Sequence, residues 1–168
     1  MRIFISQGRL QGNRAGAIMA ALSVASTLSM GVALAGEKTL EFQLVTKYLE
    51  PRKLEVKNVE DHAITQTKAF GVAVFKDGRI GTKDFITVID NQKGAGTGFG
   101  YSTYTFDDGS VTARFTFTFD SKNLHGDYKV LSGTGAYAGS TGTGTFDNLP
   151  NPYTGDRLLN VKLQLVTP

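Results

Sequence analysis

The sequence has 168 residues, is 40% apolar and contains 20 glycines, a composition typical of one globular domain. It has no cysteine and only two histidines, His62 and His125, so disulfide scaffolds, thiolate or histidine-rich metal sites and cysteine nucleophiles are excluded. Three of the 18 basic residues and none of the 15 acidic ones lie in the first 35 positions, so the remainder has no net charge and we expect no nucleic-acid partner.

Residues 1–35 are typical of a secretory signal peptide. Arg9 and Arg14 precede an alanine-rich apolar stretch that closes with Ala33-Leu34-Ala35. The alternative is a retained membrane anchor, because about twenty residues can span a bilayer. Six serine, threonine and glycine residues dilute the apolar stretch, however. We therefore expect cleavage after Ala35, a secreted or periplasmic mature protein, and no stable membrane span after processing.

Residues 36–168 show apolar side chains at every second position, which predicts half-buried strands and not helices. The clearest case is 111–119, where valine, alanine and three phenylalanines alternate with threonines and an arginine. Asp77-Gly78 and Asp108-Gly109 predict hairpin turns between such runs. The predicted strands are 40–48, 69–76, 79–90, 98–106, 111–119, 128–132, 141–146 and 158–166. Residues 50–67, interrupted by Pro51, are left as loop, short strand or helical turn.

A glycine-rich run, SGTGAYAGSTGTGTF, occupies residues 132–146. A phosphate-binding loop would need a following Lys-Ser or Lys-Thr pair, or a GxGxxG spacing that opens a helix, and the run has neither. We interpret these glycines as positions where barrel strands bend tightly or approach each other closely. Eight strands are also the number at which a sheet closes around side chains or one small ligand.

The segment KVLSGTGAYAG at 129–139 resembles an element shared by allene oxide cyclase-like barrels and dirigent proteins. The hairpin YSTYTF at 101–106, with DGSV at 108–111, is similar to the aromatic hairpin of the same family. The resemblance covers roughly 39–166. It implies an all-β, eight-stranded antiparallel barrel of calycin type, without a cofactor or metal, whose apolar lumen takes a hydrophobic small molecule. It also implies a homo-oligomer, either a dimer or a trimer.

The resemblance suggests two catalytic residues on the first strand. The plant cyclases carry a glutamate and, two positions on, an asparagine that helps to hold a water; Glu41 and Gln43 occupy similar places. Pro51 lies near the position of a family proline and is taken as ligand-binding. A carboxylate in an apolar lumen would have a raised pKa and could act as acid or base. The alternation of Glu41 with Leu40 and Phe42 instead favours the solvent face, and both orientations stay open.

Four further residues are candidates for ligand binding. Tyr101, Tyr104 and Tyr128 could orient a ligand with their hydroxyl groups, as polar groups do in apolar pockets. Packing with a solvated hydroxyl is the alternative for these tyrosines. Arg114, alone among threonines, could bind an anionic ligand or form an ion pair across the sheet.

Three function classes follow from these features. The first is a cofactor-free cyclase or isomerase that folds a hydrophobic substrate in its lumen. The second is a dirigent-like or lipocalin-like binding module without chemistry of its own, and the third is a structural barrel with a filled core. The sequence leaves open whether the protein is an enzyme. The orientation of Glu41 and the presence of a lumen cavity distinguish the three classes.

Overall fold

The computed structural model describes residues 36–151 and 156–168. The predicted signal peptide, 1–35, lies outside the described residues. The described chain forms nine strands, which are β1 (Gly36–Tyr48), β2 (Arg52–Glu55), β3 (His62–Phe75), β4 (Ile80–Gln92), β5 (Ala95–Phe106), β6 (Gly109–Phe119), β7 (Leu124–Gly135), β8 (Thr141–Asn148) and β9 (Asp156–Thr167). Among these residues, none forms a helix long and apolar enough to cross a membrane.

Eight of the strands close into an antiparallel barrel, so the predicted fold class is confirmed. The strands pair in the order β1-β9-β8-β7-β6-β5-β4-β3, and β1 also pairs with β3. Leu44, for example, lies opposite Leu159 on one side and Ala73 on the other. The uncertain stretch 50–67 contains β2, which pairs only with β3, and the first residues of β3. Closure leaves the barrel itself without an open edge.

The inner face of the barrel is apolar and rich in aromatic rings. Alternate residues of every barrel strand point inward, as expected for a sheet with one buried face. Phe115 and Phe117 on β6 are inward, as the alternation predicts, and are 3% and 8% exposed. Burying such a side chain contributes about 2 kcal/mol. The other large side chains of the core are Leu40, Phe42, Leu44, Phe75, Tyr104, Phe106, Val111, Leu124, Tyr128, Val130, Tyr137, Phe146, Leu159, Val161, Leu163 and Leu165.

Glycines on the inner face make room for these rings. Gly100 lies opposite Phe115 on the next strand, and a Cβ atom at Gly100 would overlap the Phe115 ring. Gly126 stands in the same relation to Phe146. This supports the interpretation of glycine as a site of close approach, since a phenylalanine ring can fold over a neighbouring glycine without displacing the backbone.

The turn after β7 covers one end of the barrel, which we call the closed end. Gly135 and Gly139 have φ values of 59° and 72°, which glycine adopts without strain, and they turn the chain so that Tyr137 packs inward. The Tyr137 side chain has no exposed surface, and its ring centroid lies 5.6 Å from that of Phe106. The glycine run therefore serves packing at this end of the barrel.

Candidate functional site

A lysine side chain lies inside the barrel. Lys83 is on β4, where Gly81, Lys83, Phe85 and Thr87 form the inward-facing set. Only 3% of Lys83 is exposed. Buried lysines are rare unless they are paired with a negative charge, because removing an ammonium group from water costs several kcal/mol.

Aromatic rings surround the Lys83 amine. Five ring centroids lie within 6 Å of Nζ, close enough for cation–π attraction when the amine is protonated. The distances are 4.5 Å to Phe85, 4.8 Å to Phe115, 5.0 Å to Tyr128, 5.1 Å to Tyr104 and 5.9 Å to Phe146. The rings come from the five consecutive strands β4 to β8, so the curvature of this part of the sheet brings them around the amine.

Two tyrosine hydroxyls complete the polar cluster. Lys83 Nζ donates a hydrogen bond to the Tyr128 hydroxyl oxygen at 2.8 Å, and the Tyr128 and Tyr104 hydroxyls are also 2.8 Å apart. Among the described residues no carboxylate pairs with Lys83. Burial without a counter-charge lowers the pKa of Lys83 to about 7. Burial also raises the pKa of both tyrosines, which stay protonated at neutral pH.

A cavity of about 30 Å³ lies beside this cluster, toward the end of the barrel opposite the closed end. Phe85, Phe115 and Phe146 line the cavity and also surround the Lys83 amine, so the amine and the cavity share three walls. The remaining lining residues are Thr46, Tyr48, Lys83, Thr87, Phe117, Leu124, Arg157 and Leu159. Arg157 is the exposed member of this lining, which places the cavity next to solvent. We call this end of the barrel the Arg157 end.

A buried serine also faces the lumen. Ser102 is 3% exposed, and in the described part of the chain its hydroxyl oxygen has no hydrogen-bond partner. Ser102 lies opposite Phe85 in the sheet, next to the Lys83 and Tyr104 pair. An unsatisfied buried hydroxyl costs about 1–3 kcal/mol, so a ligand that hydrogen-bonds to it would gain that energy.

The cluster can bind an oxygen atom within apolar walls. With its pKa near 7, the Lys83 side chain is a mixture of ammonium and free amine at neutral pH, and both forms donate hydrogen bonds. The flat rings around it favour an aromatic molecule. Within the described ranges, no group of three or more histidine, aspartate or glutamate side chains could hold a metal ion.

The first-strand candidates lie on the outer face. Leu40, Phe42 and Leu44 point into the barrel, so the hypothesis that Glu41 points into the lumen is wrong. The side chain of Glu41 is 52% exposed and accepts an ion-pair contact of 3.0 Å from Lys162 on β9. Gln43 is exposed on the same face. The alternation of apolar residues therefore determines the orientation of this strand.

The other predicted site residues divide between the two faces. Tyr104 and Tyr128 are inside and contact Lys83. Tyr101 is outside and 53% exposed, and Pro51 is exposed between β1 and β2. Arg114 also points outward, with its guanidinium 5.8 Å from the Phe99 ring, and it forms no ion pair within the described ranges.

Lys83 is absent from the residues predicted from sequence. On β4 the outward positions include Ile80, Ile86 and Val88, so both faces of the strand are apolar and alternation does not orient it. The turn between β3 and β4 does indicate which residues of β4 point inward. Because Asp77-Gly78 fixes the β3–β4 hairpin, the inward orientation of Ala73 and Phe75 propagates to Gly81 and Lys83.

Structures of known proteins share this fold. The pterocarpan synthase dirigent protein GePTS1 aligns with a TM-score of 0.59 and 13% identity, over 84% of this chain and 94% of that chain. A protein of unknown function from the DUF3224 family of Shewanella oneidensis MR-1 aligns with a TM-score of 0.54 and 11% identity, over 79% and 99%. AbnU, an exo-specific intermolecular Diels-Alderase, aligns with a TM-score of 0.51 and 13% identity, over 78% and 98%. No protein-family model and no curated protein matches the sequence. The fold is that of dirigent-like small barrels.

Proposed function

We propose that this protein binds a flat, hydrophobic small molecule at the Arg157 end of its lumen, with an oxygen atom of the ligand against Lys83. The observation that carries the proposal is a lysine in an aromatic cluster, 3% exposed, that has no carboxylate partner in the described part of the chain and lines a cavity. A buried amine without a counter-charge lowers the stability of the barrel. Side chains whose pKa is strongly shifted and that lie beside a cavity are characteristic of functional sites.

The proposal keeps the predicted class of ligand and changes the residues that bind it. A cyclase or isomerase dependent on Glu41 would need this carboxylate in the lumen, and the structure has it in an exposed ion pair. Lys83 lines the cavity together with the buried Thr46 and Thr87, and it donates a hydrogen bond to Tyr128. Ser102 also faces the lumen, next to the Lys83 and Tyr104 pair. The fold neighbours are compatible with such a role, since two of them are named for pterocarpan synthesis and for a Diels-Alder reaction.

Ligand entry requires side chains at the Arg157 end to move. A cavity of about 150 Å³ is needed for one benzene ring, and the existing cavity has about 30 Å³. Tyr48, which is half-buried, and Arg157, which is exposed, lie at the edge of this cavity. We propose that an entering ligand displaces the Tyr48 ring, because Tyr48 and Arg157 form the part of the cavity lining that lies next to solvent.

A structural barrel with a filled core is the second candidate function. The small volume of the cavity and the dense ring packing of the closed end favour it. The two candidates differ in one measurable respect. The first predicts that the Lys83 side chain contributes to the binding of a small aromatic molecule, and the second predicts that no such molecule binds.

The test uses 4-fluorobenzyl alcohol as a probe, followed by ¹⁹F NMR line broadening. We expect saturable binding to the wild-type protein, and about tenfold weaker binding to Lys83→Met, because a hydrogen bond to a charged group contributes about 1.5 kcal/mol. Lys162→Met, which removes an exposed lysine from the outer face, is the matched control and should bind like wild type. Absence of binding to wild type would favour the filled barrel. Equal binding to wild type and to Lys83→Met would overturn the proposed contact between the ligand and Lys83.

Two further expectations stay predictions. Export with cleavage after Ala35 depends on residues outside the described ranges. Assembly into a dimer or trimer is compatible with the outer face of β3, β4 and β5, where Phe70, Ile86 and Tyr101 are 37%, 48% and 53% exposed. Neighbouring apolar side chains of this size on one face are typical of an interaction surface.

A further inference from the structure

The Lys83 amine has the surroundings of a nucleophile. Its nitrogen shares three ring walls with the cavity, and in the described residues its one hydrogen-bond partner is the neutral hydroxyl of Tyr128. A structural lysine in a protein core is usually fixed by a carboxylate, and none pairs with this one within the described ranges. The amine is therefore available to a molecule that enters the cavity.

We propose that Lys83 forms a covalent imine with the carbonyl group of an aromatic aldehyde or ketone that occupies the lumen cavity. This inference rests on the proposed function, since the carbonyl compound must first enter the same cavity. It adds a reaction to that function and specifies the chemical class of the ligand. A lysine in a hydrophobic pocket is a known arrangement for imine formation with carbonyl substrates.

The protonation state of Lys83 supports this reaction. A protonated amine has no lone pair with which to attack, and an ordinary lysine with a pKa near 10.5 is neutral in only about one molecule in 3,000 at pH 7. Burial lowers the pKa of Lys83 to about 7, so about half of the molecules carry the free amine at that pH. The advantage over exposed lysines is therefore about a thousandfold in the fraction of reactive amine.

The hydrogen bond to Tyr128 is compatible with attack by nitrogen. The neutral amine has two N–H bonds, so Nζ can donate to the Tyr128 oxygen and keep its lone pair free for attack. The Tyr128 hydroxyl pairs in turn with Tyr104, and burial keeps both phenols protonated. Tyr128 thus acts as a positioning residue for the nitrogen.

The step is a condensation without oxidation or reduction. The nitrogen lone pair forms a bond to the carbonyl carbon, the π electron pair of the carbonyl moves to its oxygen, and one proton passes from nitrogen to that oxygen. The resulting carbinolamine loses its hydroxyl group and the second amine proton as one water molecule. A carbon–nitrogen double bond to Lys83 remains, and the reaction is reversible when water returns.

The test traps the imine with benzaldehyde and sodium cyanoborohydride at pH 7. Reduction converts the imine into a stable secondary amine, so the intact protein gains the mass of one benzaldehyde less one oxygen atom. Peptide mapping then locates the modified lysine. We expect modification of Lys83 at least about tenfold above any other lysine, because about half of its amine is neutral at this pH. Lys162→Met should react like wild type, and Lys83→Met should lose the modification.

A pH series and a competitor make the test independent of the folding of Lys83→Met. In the wild-type protein, the trapping rate at Lys83 should rise through pH 7 and then level off, whereas modification of exposed lysines should continue to rise toward pH 10. Benzyl alcohol has nearly the shape of benzaldehyde but cannot form an imine, and it should protect Lys83.

The outcomes separate this inference from the proposed function. Selective, alcohol-protected modification of Lys83 supports both. Binding of benzyl alcohol without modification of Lys83 overturns the imine and leaves the binding function standing. Modification spread evenly over the exposed lysines, with no binding of the alcohol, overturns both.

Discussion

The two ends of the barrel lumen use aromatic side chains in different ways. At the closed end, rings pack closely on one another, with centroids 5.0 Å apart for Phe42 and Phe75, 5.5 Å for Phe75 and Phe106, and 5.6 Å for Phe106 and Tyr137. Toward the Arg157 end, the rings surround an amine and a cavity. One end therefore contributes to stability through packing, while the other retains a buried polar group that lowers it.

The lysines at the two ends differ in their access to water. At the closed end, Lys38 pairs with Asp108 at 3.3 Å, both side chains are more than a third exposed, and the Lys38 amine lies 4.3 Å above the Tyr137 ring. Lys83 has no such access to water or to an acid in the described residues. Lys38 and Lys83 both lie near aromatic rings, but we expect different effects on stability, because only Lys83 is almost fully shielded from water.

The largest effect is expected from removing the ring that covers the closed end. Tyr137→Ala should lower the free energy of unfolding by about 3–5 kcal/mol, since it empties a fully buried site in contact with Phe106. Urea unfolding at pH 7 measures this change. Tyr101→Ala removes a half-exposed tyrosine from the outer face and should stay within about 1 kcal/mol of wild type. A loss below about 1 kcal/mol at Tyr137 would mean that this end is not closed by packing.

The next effect is the pH dependence that Lys83 gives to stability. Its pKa is about 7 in the folded protein and near 10.5 when unfolded, so between these values the unfolded chain binds more protons. Stability should therefore rise with pH by about 1.4 kcal/mol per unit, or about 3 kcal/mol from pH 7 to 9.5. Below about pH 6 both states are protonated and this contribution is constant.

The variant Lys83→Met isolates this contribution. Its free energy of unfolding should exceed that of wild type at pH 7 by several kcal/mol, and the difference should shrink as the pH rises toward 9.5. Urea unfolding at four pH values from 6.5 to 9.5, with Lys162→Met as the control, measures the difference. A constant difference between wild type and Lys83→Met over this range would show that Lys83 keeps an ordinary pKa.

The smallest effect is expected from the lysine of the closed end. Lys38→Met removes a partly exposed ion pair with Asp108, and it should change the free energy of unfolding by less than about 1 kcal/mol. The change should shrink further in 0.5 M salt, because exposed charges are screened. Urea unfolding at low and high salt tests this. A loss in the free energy of unfolding as large as that of Tyr137→Ala would indicate that Lys38 is essential for holding the Tyr137 ring in its buried position.

The sequence predicts the barrel well because its strands alternate clearly. The runs at 111–119 and 158–166 each have one apolar face, and both form strands at these positions. The resemblance to a known family adds the closure into a barrel, which the pairing of β1 with β3 confirms.

The candidate site was harder to predict, for two physical reasons. On β1 the alternation favours an outward Glu41 and the resemblance favours an inward one, and burial of Leu40 and Phe42 decides for the alternation. On β4 both faces carry isoleucine, valine or phenylalanine, so the pattern does not show that Lys83 is inward. Tyr128 lies on a strand with one clearly apolar face. On β5 the outer face carries Phe99 and Tyr101, so the pattern does not separate the inward Tyr104 from the outward Tyr101.

The double pairing of β1 has a consequence for biosynthesis. Phe42 to Lys47 pair with both β9 and β3, so the seam between β1 and β9 joins segments more than 100 residues apart in the chain. During translation, β1 can pair with the hairpin of β3 and β4 early, but its other edge stays unpaired until β9 has left the ribosome. Final ring closure is therefore a late, long-range event, and such contacts slow folding. The sheet of such a chain therefore stays open until synthesis is almost complete.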